Sequence, residues 1–119
     1  MTVEVLDISG GVISLKVTGK LSESELASAQ QGTANVIREQ GKVRILVDTA
    51  DFEGWEQGGS WDDFSFEEEF DPYIEKMAFV GDRKWEELIL VFSNKAFRQF
   101  PIEYFDAADS EKARAWITS

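Results

Sequence analysis

The sequence predicts an α/β fold, a mixed and mostly parallel five-stranded sheet covered by helices in the order β-β-α-β-α-β-α-β-α. Three observations carry that prediction. From residue 22 onward, strand-like apolar runs alternate with stretches of helical periodicity, an order that requires right-handed crossovers and parallel pairing. The first two apolar runs are joined by Ser9-Gly10-Gly11, too short for a crossover, so they pair antiparallel as a hairpin. Ile45-Leu46-Val47 is continuously apolar, as in a strand covered on both faces.

Taken in order, residues 3–8 begin with the apolar/polar alternation of a half-buried strand, and residues 12–19 read as its hairpin partner. Ser22 followed by Glu25 has capping-box spacing and opens a helix that runs to Gln40. Leu26, Ala29, Thr33 and Ile37 form its apolar stripe, with Val36 beside it, and Gly41 stops it. Residues 43–48 make the third strand, and the glycine-bearing residues 49–59 are expected to be an irregular loop. A second helix is expected from Ser60 to about Phe70, with Asp62 and Asp63 in its first turn and Pro72 beyond its end. Residues 76–80 form a fourth strand closed by Gly81, and Asp82 caps a third helix over residues 83–92. Its core, Leu88-Ile89-Leu90-Val91-Phe92, is apolar all round. Either Leu88, Val91 and Phe92 pack on the sheet with the others under residues 97–100, or one side meets another molecule, as a dimer contact or the wall of a lipid pocket. Residues 102–105 make a short fifth strand, and Asp109 or Ser110 caps a last helix over residues 111–117 with Ala113, Trp116 and Ile117 turned inward. The pattern does not fix the strand order.

Composition narrows the function classes. A length of 119 residues suits one domain, and 43% hydrophobic with 13% aromatic residues can fill a core. The absence of cysteine excludes disulfides, thiol catalysis and cysteine zinc sites, and the absence of histidine excludes histidine triads and most transition-metal sites. No apolar run approaches the roughly 20 residues of a membrane helix. Met1-Thr2-Val3-Glu4-Val5 lacks a secretory pattern, so a cytoplasmic location is expected. The net charge of −11 sits in one segment, because residues 45–75 hold eleven acids and no Lys or Arg while twelve acids face twelve bases elsewhere. Such a surface disfavours nucleic acid and anionic membranes and suits a cationic partner, a cation or a neutral ligand. The plainer reading is a solvated face that aids solubility.

Three stretches carry a family resemblance: Gly41-Lys42-Val43-Arg44-Ile45-Leu46-Val47, Phe52-Glu53-Gly54-Trp55-Glu56 with Trp61-Asp62-Asp63, and Val80-Gly81-Asp82-Arg83-Lys84-Trp85-Glu86. With the order of elements, they resemble the SpoIIAA-like family, a branch of the STAS superfamily, whose fold is that of anti-sigma-factor antagonists. The resemblance covers nearly the whole chain and implies a single STAS-like domain over residues 1–119 in a bacterial protein. It also implies a fold-level likeness to lipid-binding CRAL-TRIO domains. The branch is mostly without assigned biochemistry, so it points to a non-catalytic binding or regulatory module. In the antagonists a phosphorylatable serine opens the helix after the third strand, in an Asp-Ser-Ser-Gly-like context. Here Gly58-Gly59-Ser60-Trp61-Asp62-Asp63 puts Ser60 near that place without the surrounding motif. Phosphate on Ser60 would gain from a helix N-terminus but be repelled by Glu56, Asp62 and Asp63, and capping is the plainer job for Ser60.

Ligands of open α/β sheets bind at the carboxyl ends of parallel strands. That edge should gather the residues after Asp48, the turn at residues 81–84 and the end of the fifth strand. Trp55, Trp61, Trp85 and Phe105 would there wall a site for a small apolar or lipid-like ligand, and Arg83 and Lys84 would hold a carboxylate or phosphate. Alternatively each tryptophan roofs the core, and Arg83 and Lys84 balance Glu86 and Glu87. No metal or cofactor is expected, since Asp48, Asp51, Glu53 and Gly54 lack EF-hand spacing. Three readings follow: a binding module for a small ligand, a protein partner or a second copy; a STAS-type regulator with a Ser60 phosphoswitch; and an acid-dependent hydrolase, for which no carboxylate pair stands out.

Overall fold

In the computed structural model, which describes residues 3–57, 65–93, 95 and 98–119, the chain forms β1 (Val3–Ser9), β2 (Val12–Leu21), α1 (Glu23–Gln40), β3 (Val43–Trp55), α2 (Ser65–Phe70), β4 (Ile74–Gly81), α3 (Glu86–Phe92), β5 (Ile102–Asp106) and α4 (Ser110–Thr118). Short 3-10 turns precede β4, α3 and α4. The strands form one sheet in the order β1-β2-β3-β4-β5. β1 pairs antiparallel with β2, and the three later pairings are parallel. Each parallel strand lies next to its predecessor, always stepping the same way. Right-handed crossovers then carry α1, α2 and α3 over one face of the sheet. α4 follows β5 and packs on the other face.

Local chemistry explains the ends of the elements. The hairpin turns on Gly10 and Gly11, both at positive φ (60° and 78°), the geometry that tight two-residue hairpins need. Ser22 caps α1, its Oγ accepting the Glu25 N–H at 3.2 Å, and Gly41 closes it with its N–H on the Ile37 carbonyl at 2.7 Å. The carbonyl end of α4 is met by two cations from the sheet: Arg44 Nη1 donates to Ile117 O at 2.8 Å and Lys76 Nζ to Trp116 O at 3.0 Å.

The two faces have separate cores. The first joins Ile13, Leu15, Ile45, Val47, Phe79 and Ile102 of the sheet to Ala34 and Ile37 of α1 and Ile89 of α3. The second joins Val12, Leu46, Ala78 and Val80 to Ala113 and Ile117 of α4.

One expectation is corrected and one open alternative is narrowed. β3 does not end at residue 48; it continues through Asp51, Glu53 and Gly54 to Trp55, where an irregular loop was expected to begin at residue 49. The acids at 51 and 53 point to solvent and Phe52 between them is buried, so the charges are the outward half of a strand. In α3, where packing of Leu88 and Val91 on the sheet was one of two alternatives, Ile89 is the buried residue and Leu88 and Val91 are 52% and 70% exposed. The expected start of the second helix at Ser60 lies outside the described residues.

Candidate functional site

Between the sheet and its first helix layer lies a cavity of about 180 Å³. Strands β1 to β4 supply its floor, and α1, α2 and α3 its roof. Of the four α1 residues that line it, Leu26, Ala29, Gln30 and Thr33, Ala29 and Thr33 are small.

β3 contributes most, and it does so by breaking its own alternation. Lys16 pairs with Asp48 but Thr18 with Asp51, and Gly19 pairs with Phe52 but Lys20 with Gly54. Each shift puts one extra residue into β3 and flips the side of every residue beyond it. Val47, Thr49, Phe52 and Trp55 consequently all reach the cavity, although their spacing is two, three and three residues. Asp48 supports the first shift, its Oδ1 accepting the Ala50 N–H at 2.9 Å. Gly54, at φ +109°, supports the second.

Trp55 sits in an aromatic cluster at the end of this arm. Its ring centroid is 5.0 Å from Phe52, 6.2 Å from Trp85 and 5.1 Å from Phe92, and the first two contacts are edge-to-face. Trp85 also lies 5.1 Å from Phe52 and covers Gly54, where an added Cβ would stand 3.4 Å from its ring. Trp55 lines the cavity, and Trp85 packs behind it as a brace.

Most polar groups of the wall are committed to protein partners. Thr33 Oγ1 donates to Ala29 O and Thr49 Oγ1 to Val80 O, both at 2.9 Å. Arg98 spans Asp71 with two hydrogen bonds of 3.0 and 2.6 Å and gives a third to Ser93 O at 3.2 Å. Its side chain is 7% exposed. Trp55 Nε1 is a buried N–H with no hydrogen-bond acceptor among the described residues, and Glu67 Oε2 is a buried carboxylate oxygen on the same wall.

The residues expected to form a site divide. Trp55 and Trp85 meet. Phe105 does not join them; it lies on the opposite face of the sheet against Trp116, centroids 6.0 Å apart, because neighbouring residues of a strand point to opposite faces and Tyr104 already takes the first. Arg83 is exposed and held by its own acids, 2.7 Å from Glu86 and 3.9 Å from Asp106. The Glu86 hydrogen bond, reinforced by the charges of Glu86, Asp106 and Asp109 against a smaller opposing effect of desolvation, raises the Arg83 pKa above its usual value. Lys84 Nζ rests 5.7 Å over the Trp85 ring. Trp61 and Ser60 lie outside the described residues. Thr49, Glu67 and Arg98 were not singled out by sequence reasoning. Thr49 follows Val47 inward by ordinary strand alternation, and was missed because the strand was expected to end at Asp48.

The model of the SpoIIAA-like family matches residues 12–118. The chain belongs to the SpoIIAA-like family. That gives it a STAS-type fold, and a solved structure agrees: an uncharacterised protein of the DUF3478 family with a SpoIIAA-like fold, from Shewanella loihica PV-4, superposes with a TM-score of 0.69 at 17% identity, over 97% of this chain and 91% of that one. No curated protein is similar enough to match. Among the described residues of this SpoIIAA-like protein, no helix is long and apolar enough to cross a membrane.

Proposed function

We propose that the protein is a non-catalytic binding module that holds a small apolar or lipid-like molecule between its sheet and the layer of α1, α2 and α3. The cavity carries this reading. Protein interiors are packed to crystal density with few voids larger than a water molecule. This one is mostly apolar and opens to solvent, so its lining faces water until a ligand covers it. An engineered apolar cavity of about 150 Å³ takes up benzene, so this one suits a single ring or a short acyl chain. Of the described residues expected to form a site at the carboxyl-end rim, Trp55 alone lines this cavity.

Thermal unfolding and tryptophan fluorescence in the presence of toluene, indole, hexanoate and dodecanoate test the reading. Saturable binding by at least one of them, with a raised Tm and altered Trp55 emission, is the expected result. Ala29→Leu, which fills the cavity from α1, should abolish it. The absence of saturable binding by all four compounds would overturn the proposal.

A second reading, a STAS-type regulator acting through protein contacts, is favoured by the apolar surface of the outer strand. Val5 and Leu6 of β1 are 51% and 52% exposed at an edge that carries unpaired backbone groups. A specific partner or a homodimer lost on Leu6→Lys would support it. Loss of that partner on Ser60→Asp would add the phosphoswitch.

A further inference from the structure

Resting on the second reading above, the one of protein contacts, we infer that the outer edge of β1 takes an extended segment of another protein that alternates apolar and basic residues. The segment adds to the five-stranded sheet as a sixth strand. β1 ends the sheet, so among the described residues one side of its backbone has no strand beside it. Its side chains are sorted by face. Val3, Val5 and Ile8 stand across from Val17, Leu15 and Ile13, on the side of the first core. Glu4, Asp7 and Ser9 stand across from Lys16, Ser14 and Val12, on the other side. Val3 is buried, but Val5 and Ile8 are 51% and 41% exposed, so the first helix layer stops short of this strand. Leu6, the extra residue of a bulge, is 52% exposed between them. Soluble proteins usually guard such an edge with lysine, proline or a covering segment, and β1 has no lysine or proline. The bulge discourages the long, flat pairing of aggregates and leaves a short segment as the occupant.

Charge decides what that segment is. β1 carries two acids and no base, and the base across from Glu4, Lys16, is in an ion pair with Asp51 at 3.5 Å. A second copy of the chain, paired antiparallel, would keep like faces together. It would put the Glu4 and Asp7 carboxylates of both copies into one stripe, between molecules of net charge −11. Like charges set against each other across strands are destabilising. A basic segment turns the same stripe into an attraction, while its apolar residues cover Val5 and Ile8. Backbone pairing then supplies affinity, and the two stripes set register and select the partner.

Three peptides of seven residues, the length of β1, test this: one alternating valine and lysine, one with the same residues in two blocks, and one alternating valine and glutamate. Binding is read by fluorescence anisotropy of the labelled peptides, and its place by amide exchange of the ¹⁵N-labelled protein. The alternating lysine peptide should bind about tenfold more tightly than its block isomer and slow the exchange of amides in residues 3–9. The glutamate peptide should not bind. With Glu4→Lys and Asp7→Lys combined, both at exposed positions, the preference should pass to the glutamate peptide while Tm holds. Equal binding of the two lysine peptides, or slowed exchange confined to residues 45–56, would mean bare charge attraction and overturn the inference. A dimer that dissociates on Leu6→Lys would give the edge to a second copy, overturning the basic segment and leaving protein contact through β1 standing. Failure of all three peptides, with a partner still lost on Leu6→Lys, would overturn the alternating basic segment alone. The same failure with no such partner and no dimer would take down the second reading as well.

Discussion

The two faces of the sheet solve the same packing problem differently. On the second face a single helix, α4, lies close, because Ala78 beneath it and Ala113 within it are both fully buried and let the backbones approach. On the first face three helices share the cover, and two of them are short: α2 has six residues and α3 seven. Every residue lining the cavity comes from the sheet beneath this helix layer, from the layer itself or from the segment that follows α3. The strands are shared, so the void comes from the roof. Small side chains bring a roof down when the helix can settle onto the sheet. Under α1 they instead leave space, among the large rings of Phe52, Phe66 and Phe79 that share this core.

Substitutions of equal size on the two roofs should therefore have opposite signs. Ala113→Leu inserts three carbons where none fit, and should cost about 3 kcal/mol, measured by urea unfolding. A loss below about 1 kcal/mol would mean that the second face is as loosely packed as the first. The ion pair at the first face's margin comes next. Asp71→Asn keeps the shape but leaves the Arg98 guanidinium, 7% exposed, without its carboxylate, at a cost of about 2 kcal/mol. Asp71 itself retains 22% of its exposure, so water tempers the loss below that of a fully sealed pair. The mirror experiment is Ala29→Leu, which fills the cavity from α1 and should stabilise the protein by about 1 kcal/mol. If it destabilised as much as Ala113→Leu, the contrast between the faces would collapse.

How much of this was legible depended on how local the cause was. The hairpin, the capped α1 and the alternation of strands and helices follow from neighbouring residues: Gly10-Gly11, Ser22 with Glu25, and Gly41. The continuation of β3 was also written locally, as Asp51 out, Phe52 in, Glu53 out, but acids and Gly54 concealed it. Phe105 could have been placed by the alternation of Ile102 and Tyr104, which sends it to the other face. Leu88 to Phe92 has no polar side from which to read an orientation, so only the tertiary packing decides that Ile89 faces inward. The cavity was beyond reach, because a void is the difference between summed side-chain volumes and the space left by seven separate elements. The register shifts that bring Phe52 and Trp55 to it show only in the pairing of β3 with β2.

The smallest expected effect concerns Tyr104, at the edge of the first face. Its ring stacks on Phe79, and its hydroxyl donates to Asp82 O at 2.7 Å, tying β5 to the turn that opens α3. Burial first of all, with the Asp82 and Glu86 charges adding to it and a hydrogen bond to Thr49 opposing it, raises the phenol's pKa above 10.0. In the unfolded chain the phenol loses its proton near pH 10. Between that pH and the higher folded value, the unfolded state binds fewer protons than the folded one, so the free energy of unfolding falls as pH rises. The contribution is intact below about pH 10 and is lost as pH climbs through the folded pKa. Urea unfolding of the wild type and Tyr104→Phe at pH 8, 9, 10 and 10.5 isolates it from the lysines, which titrate in both. The stability of the wild type relative to Tyr104→Phe should hold constant from pH 8 to 9 and shrink above pH 10. A difference that stays level across the whole range would mean that water reaches this phenol freely, and that the first face is open at its β5 edge as well as hollow in its middle.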